Sequence, residues 1–223
     1  MSGLINLKFS IFGSSIMEGT LGVKNAEERY HAILHTKLSR RFPHICFDFI
    51  NQAKGGWSTR ELMAKFDEFV LQYSPDYCLV MFGANNNDLS NPSRILAEGE
   101  FEALMEEFQK RMPENCQKVG VVLNPIVSEH HAVCKNPAWQ DILKKHKGGL
   151  DEILEPEREK ARSFYRKYGY PTVDLGKLMR ENASNLICSD GIHLSGEGHQ
   201  FFAEALFRTI EELLVCNGLD TRK

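Results

Sequence analysis

The chain has 223 residues, 42% hydrophobic and 26% charged, proportions that fit a globular protein and exclude a long disordered tail, a collagen-like chain or a coiled coil. Its 27 Lys and Arg against 30 Asp and Glu give a net charge of -3 with no block of like charge, so neither a nucleic-acid footprint nor a polybasic membrane contact is expected. No apolar run approaches the ~20 residues of a membrane-spanning helix, and the run at 4–12 is interrupted by Asn6, Lys8 and Ser10 without a small-residue cleavage site, so the expected location is the cytoplasm.

Taken in chain order, the pattern alternates between strand and helix. Runs rich in β-branched and aromatic residues at 4–12 and 45–50 are the first two expected strands. Ser58 and Glu61 form a capping box ahead of Leu62, Phe66, Phe69, Val70 and Tyr73, whose spacing predicts a helix. A third strand at 77–82 is almost continuously apolar, followed by a helical pattern in Phe101, Leu104, Met105, Phe108 and Met112. The fourth strand, 118–123, is again unbroken, which marks both runs as central parallel strands covered on two faces. Residues 124–149 have no clear period and exceed ordinary loops of ~4–6 residues; with Pro125, His130, His131, Pro137 and Trp139 they suit a surface excursion or a lid contacting substrate. Leu154, Ala161, Phe164, Tyr165 and Tyr168 predict a helix, 172–175 the fifth strand, and Glu197 to about Val215 the last helix. Without repeats or linkers, residues 1–223 read as one domain with a parallel five-stranded sheet and helices on both faces.

Six cysteines, none closer than 18 positions to another, rule out a C-x-x-C spacing and read as reduced thiols. The adjacent His130 and His131 lack a carboxylate cluster and read as part of a solvated loop, while His199 reads as a capping or packing residue.

In open α/β sheets ligands sit beyond the carboxyl ends of the strands, and four segments there offer chemistry. Gly13, Ser14 and Ser15 follow the first strand. Asn51 to Trp57 follows the second, and its Gly55 and Gly56 let backbone N–H groups approach a ligand. Gly83, Ala84 and Asn85 to Asp88 follow the third, and Asp190, Gly191, Ile192 and His193 come after the fifth. A Gly-Ser turn, an Asn cluster or a lone His is individually commonplace. Together they supply a nucleophile, oxyanion donors, a base and a carboxylate to orient it, the parts that ester hydrolysis needs.

From Ile11 to His199 these four segments resemble the blocks of the SGNH hydrolases, the GDSL esterase and lipase family. The resemblance implies a flavodoxin-like three-layer α/β/α fold, no metal or cofactor, and a small-molecule acyl ester as substrate. It places the nucleophile at Ser15, the Asp-x-x-His pair at Asp190 and His193, and the oxyanion donors at Ser15, Gly56 and Asn85. Asn51, five residues before Gly56, favours that glycine over Gly55. Two positions depart from the family. Ser14 stands where an Asp is usual, and Trp57 stands where Asp often follows the glycine; both are candidate substrate-binding residues, Trp57 as a ring that narrows the pocket toward short acyl groups. The alternatives are acyl transfer to a sugar or alcohol, and a binding module of the same fold that has lost turnover. A phosphate-binding first turn would call for a Lys, where this turn carries Glu18.

Overall fold

The computed structural model describes residues 4–88 and 91–220. Five strands, β1 (Ile5–Phe12), β2 (Ile45–Asn51), β3 (Tyr77–Val80), β4 (Gln117–Val122) and β5 (Thr172–Asp174), pair side by side in the order β2-β1-β3-β4-β5, and every pairing is parallel. The order reverses between β1 and β3, which leaves a crevice beyond their carboxyl ends. The connections contain α1 (Ser15–Glu18), α2 (Tyr30–Arg41), α3 (Thr59–Ala64), α4 (Phe66–Phe69), α5 (Glu100–Arg111), α6 (Pro137–Leu143), α7 (Gly149–Lys167), α8 (Leu175–Leu178), α9 (Ala183–Leu186) and α10 (Gly196–Cys216).

The unbroken apolar runs are explained by period-two packing against two cores. Tyr77, Leu79 and Met81 face a core shared with α2 and α10, while Cys78, Val80 and Phe82 face a second core with α3, α4, α5 and α7. Each of these fully buried large side chains contributes roughly 1.5–3 kcal/mol. Gly120 of β4 is needed for space: a Cβ there would lie 2.6 Å from the Tyr165 ring, whose hydroxyl donates to Val80 O at 3.1 Å and Val121 O at 3.2 Å and so ties α7 to both central strands.

The capping box forms, with Glu61 N–H donating to Ser58 Oγ at 3.3 Å and Ser58 N–H to Glu61 Oε2 at 2.7 Å. The helix it opens is not continuous to Tyr73, however. It breaks at Lys65 into α3 and α4 and ends in a 3-10 turn at Leu71–Tyr73. The break seats Phe66 against Phe12 and Phe108, with ring centroids 5.6 and 5.2 Å away, so packing on the sheet outweighs helix continuity. The excursion after β4 is a 3-10 turn (Ala132–Lys135) followed by α6, and it buries Trp139 to 4% exposure. All six cysteines are free; burial pushes the Cys116 thiol up to about 12 and the Cys78 thiol well above its ordinary value. Among the described residues no helix is long and apolar enough to cross a membrane.

Candidate active site

Gly13 turns the chain out of β1 with φ 156°; a Cβ there would meet Met17 Cγ at 2.6 Å and Met81 O at 3.1 Å. Ser14 follows as the residue before α1. Its side chain is buried, makes no capping bond, and leaves its hydroxyl unpartnered. Ser15 opens α1, so its N–H is one of the orphan donors of a helix start; among the described residues neither that N–H nor Oγ has a partner. A four-residue helix does not persist alone. This one is fixed from outside, by Asn51 Nδ2 donating to Met17 O at 3.1 Å and Glu18 O at 3.2 Å, and by the Tyr30 hydroxyl donating to Met17 O at 2.6 Å.

The second segment comes up against the first. A Cβ on Gly55 would lie 3.6 Å from Ser15 Cβ and 2.7 Å from Glu18 Oε2. Gly55 N–H donates to that carboxylate at 3.0 Å, whereas Gly56 N–H, at φ 76°, has no acceptor among the described residues. Glu18 thus occupies one glycine's donor and leaves the next one's available.

In the third segment Gly83 has φ 98° and Ala84, a residue with a side chain, φ 73°. Asn85 Nδ2 donates to Trp57 O at 3.0 Å and retains a second hydrogen. Thr59 anchors the turn to α3: its Oγ1 accepts from Gly83 N–H at 3.2 Å and its N–H donates to Asn86 Oδ1 at 2.9 Å, with Thr59 and Asn86 both fully buried.

The fourth segment is closed on itself. Asp190 Oδ1 accepts from the Ile192 and His193 N–H groups, both at 3.0 Å, and Oδ2 lies 2.6 Å from His193 Nδ1. Partial burial opposes the charge on Asp190, but those backbone donors and the imidazole outweigh it and hold the carboxyl below its ordinary value. With Nδ1–H committed to Asp190, Nε2 is the ring's acceptor. Gly191, at φ 80°, admits no side chain, since a Cβ would lie 2.4 Å from Val127 O. Val127 N–H in turn donates to Gly191 O at 2.8 Å, and buried Asn124 donates to Ile192 O at 2.9 Å, so the start of the excursion braces this loop.

Asn85 and Ile192 border a cavity of about 200 Å³, with Val133, Trp139, Leu150 and Leu154 as its apolar wall. His131 also lines it and is not a freely solvated loop residue: its Nδ1 accepts from Val133 N–H at 3.1 Å, which puts the proton on Nε2, and burial lowers its pKa. Trp57 lies elsewhere, half-buried with its ring 5.7 Å from that of Phe69. His199 is 1% exposed and accepts from Tyr30 N–H at 3.2 Å while facing Leu21 O at 2.8 Å, a packing role. Ser15 and His193 make no hydrogen bond to each other, and His193 Nε2 has no partner among the described residues. Nor do those residues contain a cluster of three or more His, Cys, Asp or Glu that could hold a metal ion.

The sequence patterns did not single out Thr59 or Asn124, because each acts across a long stretch of chain; the pattern around His131 shows only a solvated loop, and Glu18 is visible there only as an acid in the first turn.

The sequence model of the GDSL-like Lipase/Acylhydrolase family matches residues 11–201. No curated protein sequence matches the chain. Among solved structures, a lipase/acylhydrolase from Enterococcus faecalis superposes with a TM-score of 0.73 at 17% identity, covering 92% of this chain and 96% of the other. LAE5, an α/β hydrolase enzyme from the metagenome of Lake Arreo, gives 0.70 at 20% identity over 92% and 95%. A catalytic mutant of Axe2, an acetylxylan esterase from Geobacillus stearothermophilus, gives 0.70 at 19% identity over 94% and 96%. At such identities these structures establish the shared fold.

Proposed function

The chain belongs to the GDSL-like lipase/acylhydrolase family and is an ester-bond hydrolase; from that premise we propose that it is a serine esterase releasing a small or short acyl group, with Ser15 as nucleophile, His193 as base and Asp190 as its orienting carboxylate. The observation that carries the reading is the 2.6 Å Asp190–His193 contact, which leaves Nε2 as a proton acceptor, and the N–H donors of Ser15 and Gly56 that remain unpartnered among the described residues support it.

Ser15 Oγ attacks the ester carbonyl carbon as its proton passes to His193 Nε2. The carbonyl oxygen becomes an oxyanion met by the N–H groups of Ser15 and Gly56 and by Asn85 Nδ2. Collapse expels the alcohol, which takes the proton from His193, and the acyl group stays on Ser15. Water then gives a proton to Nε2 while its oxygen bonds the acyl carbon; the second collapse returns the proton to Ser15 and frees the acid. Asp190 keeps its charge throughout and stabilises the imidazolium.

Substrate size is assigned to the cavity beside Asn85. At about 200 Å³ it is smaller than the ~300–1,000 Å³ of sites for drug-sized ligands, and its wall of Val133, Trp139, Leu150 and Leu154 suits a methyl or short alkyl group. The limit on chain length therefore rests on Trp139 in place of Trp57, whose ring packs on Phe69. Ser14 supports Ser15 from the buried side of the turn. On p-nitrophenyl esters from acetate to palmitate, kcat/KM should peak at acetate or butyrate, and Trp139→Ala should raise the longer chains relative to acetate. A maximum at long chains, unmoved by that substitution, would overturn the assignment.

A further inference from the structure

The turn that presents Asn85 is strained, and something must hold it. Ala84 at φ 73° sits in the left-handed region, which a residue with a side chain keeps only where the surroundings determine it. Thr59 grips the turn from α3. On its other side lies Glu157 of α7, remote in sequence from both, whose Oε1 accepts from Asn87 Nδ2 at 2.6 Å. Glu157 is partly exposed as a residue, but its Oε2 is sealed from solvent, and a Cβ on Gly83 would come within 3.1 Å of it. Ala84 N–H and Asn86 Nδ2 face the same carboxyl, the latter buried without a partner in hydrogen-bond geometry.

We propose that Glu157 is a positioning residue for the oxyanion turn: by holding Asn87 from beneath, it fixes the Gly83–Asn87 backbone so that Asn85 presents its amide at the reacting carbonyl. The inference rests on the assignment of Asn85 as an oxyanion donor. Asn87 bonds this carboxyl directly and two further donors of the same turn face it. Lys160, on its own helix, lies with Nζ 2.7 Å from Glu102 Oε1 of α5. Burial outweighs Lys160 and the facing donors and pushes the Glu157 carboxyl up to about 7. Filling the space under the turn would not call for such a group, since an apolar side chain would do so without the desolvation cost.

The test is a double-mutant cycle with p-nitrophenyl acetate. Glu157→Ala should lower kcat roughly 10- to 100-fold with KM within about threefold, as expected when a transition-state contact is loosened. Glu157→Gln, which keeps an oxygen for Asn87, should recover kcat to within about fivefold of the parent enzyme. Asn85→Ala should lower kcat by ~10²–10³, and adding Glu157→Ala to it should cost less than about twofold more, because the two act through one amide. Should Glu157→Ala fail to fold, Asn87→Ala removes the same bond from the other side and takes its place in the cycle. Multiplicative losses in the double mutant, or an effect on KM alone, would overturn the proposal. An unchanged kcat in Asn85→Ala alone would instead reject the oxyanion assignment beneath it, a failure that is read separately.

Discussion

The loop bearing His193 and the turn bearing Asn85 stand on the same rim but are held by contacts of different range. Around His193, Cys188 N–H donates to His193 O at 2.7 Å, Gly191 N–H to Cys188 O at 2.9 Å, and Asp190 accepts from the two N–H groups that follow. Those bonds close within a few residues, so, although Asn124 and Val127 brace the loop from outside, the Asp190–His193 geometry is built by the segment that carries it. The turn at 83–87 has only one such bond of its own, from Asn85 N–H to Gly83 O at 3.1 Å. Among the described residues its other partners are Leu96, whose N–H donates to Asn86 O at 3.1 Å, and Trp57, Thr59 and Glu157, which arrive from the second strand's connection and from α7. A base can be assembled locally, whereas this set of oxyanion donors depends on how α3 and α7 pack against one face of the sheet.

The largest effect expected on the local side is from Asp190→Asn. The amide would favour the wrong imidazole tautomer, and kcat should fall by ~10⁴ while the shape of the loop is kept. Steady-state kinetics and a thermal melt check this together; a collapse of the fold would show that the loop depends on Asp190 for more than the base. On the long-range side, Glu157 links stability to pH. Its carboxyl is raised from 4.5 to about 7 in the folded protein, so the folded state binds the extra proton between those values and this group's contribution falls as pH rises through them. Glu157→Gln removes that slope. Relative to the parent, the variant should gain about 3 kcal/mol between pH 4.5 and pH 7 in urea unfolding; a pH-independent difference would show that the carboxyl is not buried as described. The smallest effect expected is from Thr59→Ala, which leaves Gly83 N–H buried without its acceptor, at a cost of roughly 1–3 kcal/mol. Thr59→Ser should restore it, and calorimetry of both variants decides.

The same difference in range governs what could be read from the sequence. Continuous apolar runs identified β3 and β4 because two-sided burial leaves a local signature, and the parallel sheet follows from the alternation of periods. Asp190 and His193 are legible as a pair because they are three residues apart and bond directly. The break at Lys65 is not legible, since it depends on where Phe12 and Phe108 lie once the sheet has formed. The side of Trp57 was equally hidden: its neighbours in sequence suggest the site mouth, but Phe69 captures the ring. Trp139 sits in a segment without period and enters the cavity wall only because Val127 and Asn124 pin the start of that segment to the His193 loop. Glu157 is one of several acids on α7, and nothing in its local pattern separates it from Glu155 or Glu159, which face Arg162.

The central claim is that Ser15, not the buried Ser14 beside it, is the activated nucleophile, and covalent labelling by a fluorophosphonate probe tests it most directly. Mass mapping of the labelled parent should place the adduct on Ser15; Ser15→Ala should abolish labelling and Ser14→Ala should leave it. An adduct on Ser14, or labelling that survives in Ser15→Ala, would contradict the proposed mechanism.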